Sequence, residues 1–351
     1  MKPLVTRLRL QGVQCGLMGS PLYEALLAGA ANDYEAAGPT YAVLHHEESE
    51  PWGSVPSLRL TGALHRMVLE GRAPELAMHF PSVGGDAGID GAWEAARALI
   101  ESEHDEIKRL ISRPVQTNEV ARAAALVVGI IHAVRTSGVS RIRLLEVGAS
   151  AGLTLRLDHF RFESGASSIG PTDSPVVLDQ PWADQAPAVA TPWTIVGRSG
   201  CDPNPIDPLS TDGRLTLTSF VWADQIHRLE RLRGALALAE KVPAQVDHAS
   251  GSDWLRERLA EPTDAMTIVW HSVVMQYMTP DERSRIDAVL ASAHLRQPLW
   301  RLAYEPTRVG SGDYRFQLSA TEYAGKRVGT PSLIAHGEGH GPPIRLHSPG
   351  V

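Results

Sequence analysis

Hydrophobic residues recur at different spacings in the two halves of this chain. Over residues 22–138, apolar positions fall three or four residues apart between Gly and Pro breaks, a pattern typical of helices. Farther along, short runs of branched apolar residues alternate with helical patterns, which predicts a parallel sheet. We therefore predict an α/β protein with a helical N-terminal domain or cap, residues 1–117, and a doubly wound, Rossmann-like domain, residues 118–351.

The short apolar runs predict five parallel strands and then two antiparallel strands that close the sheet. The predicted parallel strands are 142–147, 193–198, 244–246, 267–270 and 299–304, and the antiparallel strands are 315–322 and 332–336. Residues 161–192 are rich in Ser, Gly and Pro and interrupt this alternation, so we predict an insertion there. Asn118 is the predicted N-cap of a helix over residues 119–136, which precedes the first strand.

The first predicted strand runs into a loop of small residues. The strand ends at Val147, and two glycines in the next five residues permit unusual backbone angles and the close approach of a ligand. The amphipathic stretch 153–160 predicts a helix directly after this loop. The free N–H groups and positive dipole end of such a helix favour an anionic or strongly polar ligand.

The pattern Glu146-x-Gly148-x-Ser150-x-Gly152 resembles motif I of the class I S-adenosylmethionine-dependent methyltransferases, (E/D)-x-G-x-G-x-G. The wider chain resembles a bacterial family known as domain of unknown function 2332, most clearly at residues 146–152, 201–207 and 222–228. The resemblance implies that S-adenosylmethionine binds here, in a backbone cradle formed by Gly148, Ala149, Ser150 and Gly152. Glu146 would hold either the ribose or, through the loop, the methionine amino end of this cofactor. Ser150 departs from the motif, because it adds a hydroxyl group and a Cβ atom at the position of the middle glycine.

Acidic residues follow the second and third predicted strands. In open α/β sheets, ligands bind beyond the carboxyl ends of the strands. The resemblance implies that Asp202 accepts hydrogen bonds from ribose hydroxyl groups and that Asp247 contacts the adenine amino group. The alternative for both residues is a turn, capping or surface-loop role, which is common for aspartate.

Two other groups of polar residues are candidates for contact with a substrate. His271 follows the fourth predicted strand and could act as a general base, since the ordinary histidine pKa lies near neutral pH, or it could be a structural residue. The stretch 222–228 combines Trp, Asp, Gln, His and Arg and is our candidate recognition patch. Asp224 in that stretch could instead complement a helix dipole.

The histidine-rich segments do not match known metal-site patterns. His336, Glu338, His340 and His347 offer suitable ligands, but glycines separate the first three and no predicted helix fixes them. We therefore predict no metal site there, and we interpret residues 45–48 as a polar loop. The chain has no G-x-x-x-x-G-K-[ST] loop, so a P-loop function lacks support.

Composition narrows the classes of partner. The 351 residues carry a net charge of −7, which argues against nucleic acid as the main partner. The only cysteines, Cys15 and Cys201, lie far apart in the sequence, as expected in a reducing cytoplasm. The N-terminus lacks the apolar core of a signal peptide, and we predict no segment that spans a membrane. We therefore expect a soluble, cytoplasmic protein that binds a small molecule.

These observations favour an S-adenosylmethionine-dependent methyltransferase that acts on a small-molecule acceptor. One alternative is a non-catalytic binding or regulatory protein that retains the fold, and Ser150 together with the insertion at 161–192 favours it. Another is a dinucleotide-dependent oxidoreductase, which requires an acidic residue closer to the glycine loop than Asp202.

Overall fold

The computed structural model describes residues 3–347 except 184, 294–296, 310–312 and 325–326, and it divides the chain into two units. The helical unit consists of Met1–Thr117 and Ser210–Glu230. The sheet unit consists of Asn118–Leu209 and Arg231–Val351. The protein is therefore a mixed α/β structure in which a large, mostly parallel sheet is confined to one unit.

Helices account for nearly all regular structure in the helical unit. They are α1 (Pro3–Leu17), α2 (Pro21–Glu35), α3 (Pro39–Leu44), α4 (Pro56–Leu69), α5 (Pro74–Ala77), α6 (Ala92–Ser102) and α7 (His104–Ile111). Several begin at proline, whose fixed φ suits the first turn and whose missing N–H is not needed there. Helices α6 and α7 are separate because the backbone leaves helical geometry at Glu103. The helical unit has its own apolar core, which includes Leu4, Leu8, Tyr23, Leu26, Leu64 and Ile100.

The segment 210–230 belongs to the helical unit, whereas the sequence analysis assigned it to the second domain. It contains α9 (Thr211–Ser219) and the first residues of α10 (Ile226–Lys241). The carboxylate of Asp224 accepts hydrogen bonds from the Ser20 hydroxyl group at 2.7 Å and from the Leu22 backbone N–H at 3.2 Å. These bonds join residues about two hundred positions apart, which local sequence patterns do not reveal.

The sheet unit contains a nine-stranded sheet and a smaller three-stranded sheet. Its strands are β1 (Arg141–Val147), β2 (Arg161–Ser164), β3 (Ser167–Ile169), β4 (Val177–Asp179), β5 (Thr194–Asp202), β6 (Gln245–His248), β7 (Met266–Ser272), β8 (Leu299–Val309), β9 (Asp313–Ala324), β10 (Arg327–Val328), β11 (Ser332–Glu338) and β12 (Gly341–Leu346). The large sheet has the order β12-β11-β9-β8-β7-β1-β5-β6, with β10 paired to β9. The strands from β6 to β8 in this order are parallel, and those beyond β8 are antiparallel. All seven predicted strands are present.

Helices cover the sheet. The helices of this unit are α8 (Ala123–Ser137), most of α10, α11 (Gly251–Ala260) and α12 (Pro280–Ser292). Val147 and Val269 of the sheet share one buried cluster with Leu255 of α11 and Leu290 of α12. Burial of each such side chain stabilises the fold by roughly 1.5–3 kcal/mol.

The apolar helix α8 requires a correction to the sequence analysis. Residues Val120–Ser137 have a mean hydropathy of 1.4 over 18 residues, so by length and composition they could cross a membrane, contrary to our expectation. In the structure 67% of this stretch is buried within the protein, as in the core helix of a soluble protein. A Cβ atom on Gly129 would overlap the side chain of Leu302, so the missing side chain lets α8 lie close to β8.

The helix predicted over 153–160 is not an α-helix. Leu153–His159 forms a 3-10 helix instead, with non-helical backbone angles at Arg156. The Arg156 guanidinium donates hydrogen bonds to the carbonyl groups of Gly152, at 2.8 Å, and Val242, at 2.7 Å. The Gly152 carbonyl would accept the first backbone bond of an α-helix, so the side chain competes for that acceptor. The predicted insertion then forms the small sheet of β2, β3 and β4.

Candidate functional site

The strand order of the large sheet reverses between β1 and β7. Along the parallel part, the strands lie in the order third, second, first, fourth and fifth of the chain. Glu146 near the end of β1 pairs with Trp270 of β7, so the loops after these two strands lie at one edge of the sheet. Such a reversal is where open α/β sheets bind ligands. The candidate site therefore consists of the glycine loop (residues 148–152), the end of β5 and the β7 loop (residues 273–277).

The glycine loop has three residues with left-handed backbone angles. The φ values are 74° at Gly148, 53° at Ser150 and 65° at Gly152. This conformation is ordinary for glycine and unfavourable for residues with a Cβ atom. Ser150 therefore keeps the backbone shape that a glycine at the middle motif position would adopt.

The backbone N–H groups of Gly148, Ala149, Ser150 and Gly152 have acceptors within the protein. Gly148 and Ala149 both donate to the Cys201 carbonyl, at 2.9 and 3.0 Å, and Ser150 donates to Asp202 Oδ2 at 2.9 Å. Gly152 donates to the Ala149 carbonyl at 2.7 Å. The predicted cradle of exposed N–H groups is therefore wrong in this structure. The predicted helix dipole at the loop is also absent, because no α-helix follows.

Asn118 fixes the far end of this loop. Its Oδ1 accepts a hydrogen bond from the Leu153 backbone N–H at 3.0 Å, and its Nδ2 donates to the Ala149 carbonyl at 3.4 Å. The predicted N-cap role is wrong, since the side chain of Glu119 accepts the capping bond from Ala121 N–H at 3.2 Å. Sequence reasoning missed the role of Asn118 in the loop because its partners lie more than thirty residues away.

Asp202 lies at the end of β5 and faces the glycine loop. Besides the bond from Ser150, its Oδ1 accepts a hydrogen bond from the Asn204 backbone N–H at 2.8 Å, and the residue is 8% exposed. The second bond is the turn geometry that was our alternative for this residue. Each carboxylate oxygen can accept a further hydrogen bond, so both roles are compatible.

Glu146 is the buried acid next to the glycine loop. It is 3% exposed, and among the described residues its Oε2 has no hydrogen-bond partner. Burial raises the pKa of this carboxyl group to about 8. The indole N–H of Trp270 lowers it, Asp202 raises it further, and Arg156 and Arg122 lower it. At neutral pH the group is therefore mostly protonated. A buried polar atom without a partner is costly, which marks this position as a ligand-contact candidate.

His271 lies at the end of β7 with both ring nitrogens occupied. Its Nδ1 donates to Glu305 Oε1 at 2.7 Å, and its Nε2 accepts a hydrogen bond from Arg301 Nε at 2.9 Å. The ring is 1% exposed, and burial lowers its pKa. A base needs a free nitrogen within reach of the proton that it takes. The geometry therefore favours the structural alternative for His271 over the predicted general-base role.

The network around His271 holds the β7 loop. The carboxylate of Glu305 accepts hydrogen bonds from the backbone N–H groups of Val274 and Met275, at 3.2 and 3.4 Å. Val273 has φ +54°, a strained conformation for a β-branched residue. A Cβ atom on Gly148 would overlap the Val274 side chain, so the glycine and β7 loops are in direct contact.

Asp247 has three partners within the protein. Its Oδ2 accepts from Trp254 Nε1 and Arg258 Nη2, both at 2.7 Å, and its Oδ1 accepts from Gln245 Nε2 at 2.6 Å. Burial raises the pKa of this carboxyl group, but the bonds from Arg258, Trp254 and Gln245 outweigh burial and lower it overall. These contacts support a structural role and do not favour the predicted contact with adenine.

The predicted recognition patch at 222–228 is part of the helical unit. Asp224 binds Ser20 and Leu22, Gln225 Nε2 donates to the Met18 carbonyl at 2.7 Å, and Arg228 Nη1 donates to Gln225 Oε1 at 2.6 Å. The polar groups of this stretch hold its own unit together, so these contacts favour a structural role.

The histidine segment near the C-terminus has two imidazoles in contact. His336 Nδ1 lies 3.2 Å from His347 Nε2. Within the described ranges, no group of three or more His, Cys, Asp or Glu side chains could hold a metal ion.

Comparison with known proteins identifies one family. The sequence profile described as an uncharacterized protein conserved in bacteria (DUF2332) matches residues 5–345. No curated protein matches the chain significantly, and no solved structure does so either.

Proposed function

The chain belongs to the DUF2332 family of uncharacterized bacterial proteins, and we propose that it is a class I-type S-adenosylmethionine-dependent methyltransferase acting on a small-molecule acceptor. The order of the five parallel strands, third, second, first, fourth and fifth, supports a Rossmann-like fold of this type. The motif-like residues 146–152 lie at the reversal of this order, where such sheets bind nucleotides.

The unpartnered carboxyl oxygen of Glu146 carries the proposal. A ligand with an ammonium group next to this carboxyl would supply its missing partner, and the methionine end of S-adenosylmethionine carries such a group. Binding would release the proton that burial keeps on Glu146 and would create a buried ion pair. The ammonium group of the cofactor would therefore match the Glu146 carboxyl group in charge as well as in position.

Other residues of the site fit the remaining parts of this cofactor. The carboxylate of Asp202 keeps acceptor capacity for ribose hydroxyl groups beyond its two backbone bonds. Arg122 and Arg156, which are both buried, are cations whose charges lower the pKa of the Glu146 carboxyl group. The left-handed angles at Gly148 and Gly152 bend the loop away from the strand direction.

The residues of the chain would act mainly by orientation and exclusion of water. When bound, S-adenosylmethionine supplies an electrophilic methyl group on its sulfonium. His271 has no free ring nitrogen to deprotonate an acceptor. The proposed reaction therefore requires an acceptor that is already nucleophilic at the working pH, held in line by the site.

Isothermal titration calorimetry with S-adenosylmethionine and S-adenosylhomocysteine tests the proposal. We expect the wild-type protein to bind both ligands and Glu146→Gln to bind them at least about tenfold more weakly, since a buried charge-assisted bond is lost. Glu163→Gln is the matched control, because Glu163 is a half-exposed strand residue paired with Arg161. No heat with either ligand at about 1 mM, where even weak binding is measurable, would remove the proposal.

A second candidate is a non-catalytic ligand-binding protein with the same fold. The internal hydrogen bonds of the glycine loop and the Val274 side chain against Gly148 favour it, because both leave less room for a cofactor. Mass spectrometry of the gently purified protein separates the two candidates. Co-purified S-adenosylhomocysteine supports the methyltransferase, whereas a different bound small molecule supports the second candidate.

A further inference from the structure

The helical unit contains a hollow lined by three arginines, apart from the site described above. Arg59 and Arg66 lie two turns apart on α4, and Arg113 follows α7. Thr216, Ser219 and Phe220 complete the polar and aromatic parts of the lining. The hollow has a volume of about 10 Å³ and is partly open to solvent, so it has room for one group the size of a water molecule.

Two of the arginines converge on one exposed carboxylate. Arg66 Nη2 donates to Asp212 Oδ1 at 2.8 Å, and Arg113 Nη1 lies 3.3 Å from Asp212 Oδ2. Both guanidinium groups also donate to the Thr216 hydroxyl oxygen, at 3.0 and 3.2 Å. The Asp212 side chain is 62% exposed, so this counterion is held weakly compared with a buried one.

The third arginine has a donor without a partner. Arg59 is 9% exposed, and it donates to the Ile111 carbonyl at 3.0 Å and to Glu47. Among the described residues, no acceptor lies within reach of its Nε–H. A buried N–H without an acceptor destabilises the fold unless a solvent molecule or an anion satisfies it.

We propose that this hollow is a binding site for a small oxyanion, either a carboxylate or a phosphate. One ligand oxygen would enter the hollow, and the guanidinium groups of Arg59, Arg66 and Arg113 would donate to the ligand. In the absence of ligand, Asp212 binds Arg66 and Arg113. Glu70 also binds Arg66, and Glu47 binds Arg59. Asp212 is the most exposed of these three carboxylates, so it is the one that an oxyanion would displace first. This site is independent of the proposed methyltransferase function.

Because Asp212 would compete with the oxyanion, substitutions of Asp212 and of Arg113 should change the affinity for the anion in opposite directions. Inorganic phosphate and acetate are titrated in separate calorimetric experiments at constant ionic strength. We expect Asp212→Asn to bind the preferred anion about tenfold more tightly than the wild type, because the competing charge is removed. We expect Arg113→Gln to bind it about tenfold more weakly, because a charged donor is lost. A purely structural role of Asp212 would not tighten binding.

A third variant controls for net charge. Arg109 is exposed, pairs with Glu106 and does not line the hollow, so Arg109→Gln should leave anion affinity unchanged. Tighter binding of phosphate than of acetate would identify a phosphate site, and the reverse order would identify a carboxylate site. The proposal is overturned if neither anion binds at about 50 mM, if Asp212→Asn does not tighten binding, or if Arg109→Gln weakens binding as much as Arg113→Gln does.

Discussion

The carboxylate of Asp202 accepts a hydrogen bond from the backbone N–H of Ser150, which joins the end of β5 to the middle of the glycine loop. The donor and acceptor are 2.9 Å apart, and the bond is buried. The other carboxylate oxygen binds the backbone N–H of Asn204. One side chain therefore fixes two loops at the edge of the sheet where we propose that the cofactor binds.

We expect Asp202→Ala to lower the free energy of unfolding by about 2–4 kcal/mol, because it leaves two backbone N–H groups without their charged acceptor. Asp202→Asn should cost less, since the amide oxygen can still accept one of the two bonds. Urea unfolding followed by circular dichroism measures both. Asp207→Ala is the control, because Asp207 accepts its bond from Leu209 N–H in an exposed turn. Equal losses for Asp207→Ala and Asp202→Ala would contradict the assigned role.

Two of the three motif positions with positive φ, 148 and 150, should respond differently to substitution. Ser150→Gly keeps the N–H that binds Asp202 and removes a Cβ atom from the left-handed region, so we expect the free energy of unfolding to stay within about 1 kcal/mol of the wild-type value or to rise. Gly148→Ala should destabilise the protein by at least about 1 kcal/mol, because the new Cβ atom is strained at φ 74° and overlaps Val274. Thermal unfolding of the two variants measures both changes. A loss of more than about 1 kcal/mol in Ser150→Gly would show that the side-chain contacts of Ser150 outweigh its backbone strain.

The sequence was informative where neighbouring residues decide the structure. Branched apolar runs identified all seven predicted strands, since burial and β-propensity act within each run. The helix predicted after the glycine loop is a 3-10 helix, in which Arg156 binds the Gly152 carbonyl and the distant Val242 carbonyl. Asp224 likewise binds Ser20, which is 204 positions away. The residue types of the site could therefore be predicted from the sequence, but hydrogen-bond partners this far apart along the chain could not.

Glu146 should make the stability of the protein fall as pH rises. Its pKa is about 8 in the folded state, above the value of about 4.3 for an unperturbed glutamate. Below about pH 4.3 the carboxyl group is protonated in both the folded and the unfolded state, so it does not lower the free energy of unfolding. Between the two values the unfolded chain loses the proton while the folded protein keeps it. The free energy of unfolding therefore falls progressively, by on the order of a few kcal/mol in total, as the pH rises to about 8.

Glu146→Gln isolates this effect, because glutamine stays neutral at every pH. We expect the variant to gain stability over the wild type between pH 5 and pH 8, by up to a few kcal/mol. At the same time it should bind S-adenosylmethionine more weakly, as argued above. Urea unfolding at several pH values supplies the measurement. A difference between the two proteins that does not change with pH would mean that Glu146 is ionised in the folded state.

His271 should contribute to stability and to its pH dependence rather than to proton transfer. Its neutral ring joins Arg301 to Glu305, and burial lowers its pKa below the ordinary value of about 6.5. As pH falls through 6.5 the unfolded chain takes up a proton that the folded protein resists, so stability is lost on acidification. We expect His271→Asn to lower the free energy of unfolding by about 2 kcal/mol at pH 7.5 and to weaken this acid dependence.

The affinity of His271→Asn for S-adenosylmethionine should stay within about threefold of the wild-type value, which is under 1 kcal/mol. Glu305→Gln, which keeps an acceptor for the Val274 and Met275 N–H groups, should be milder in both respects. If His271→Asn were as stable as the wild type and yet lost methyl transfer to a known acceptor, the ring would be a base after all, and its contacts with Arg301 and Glu305 would have to break during the reaction.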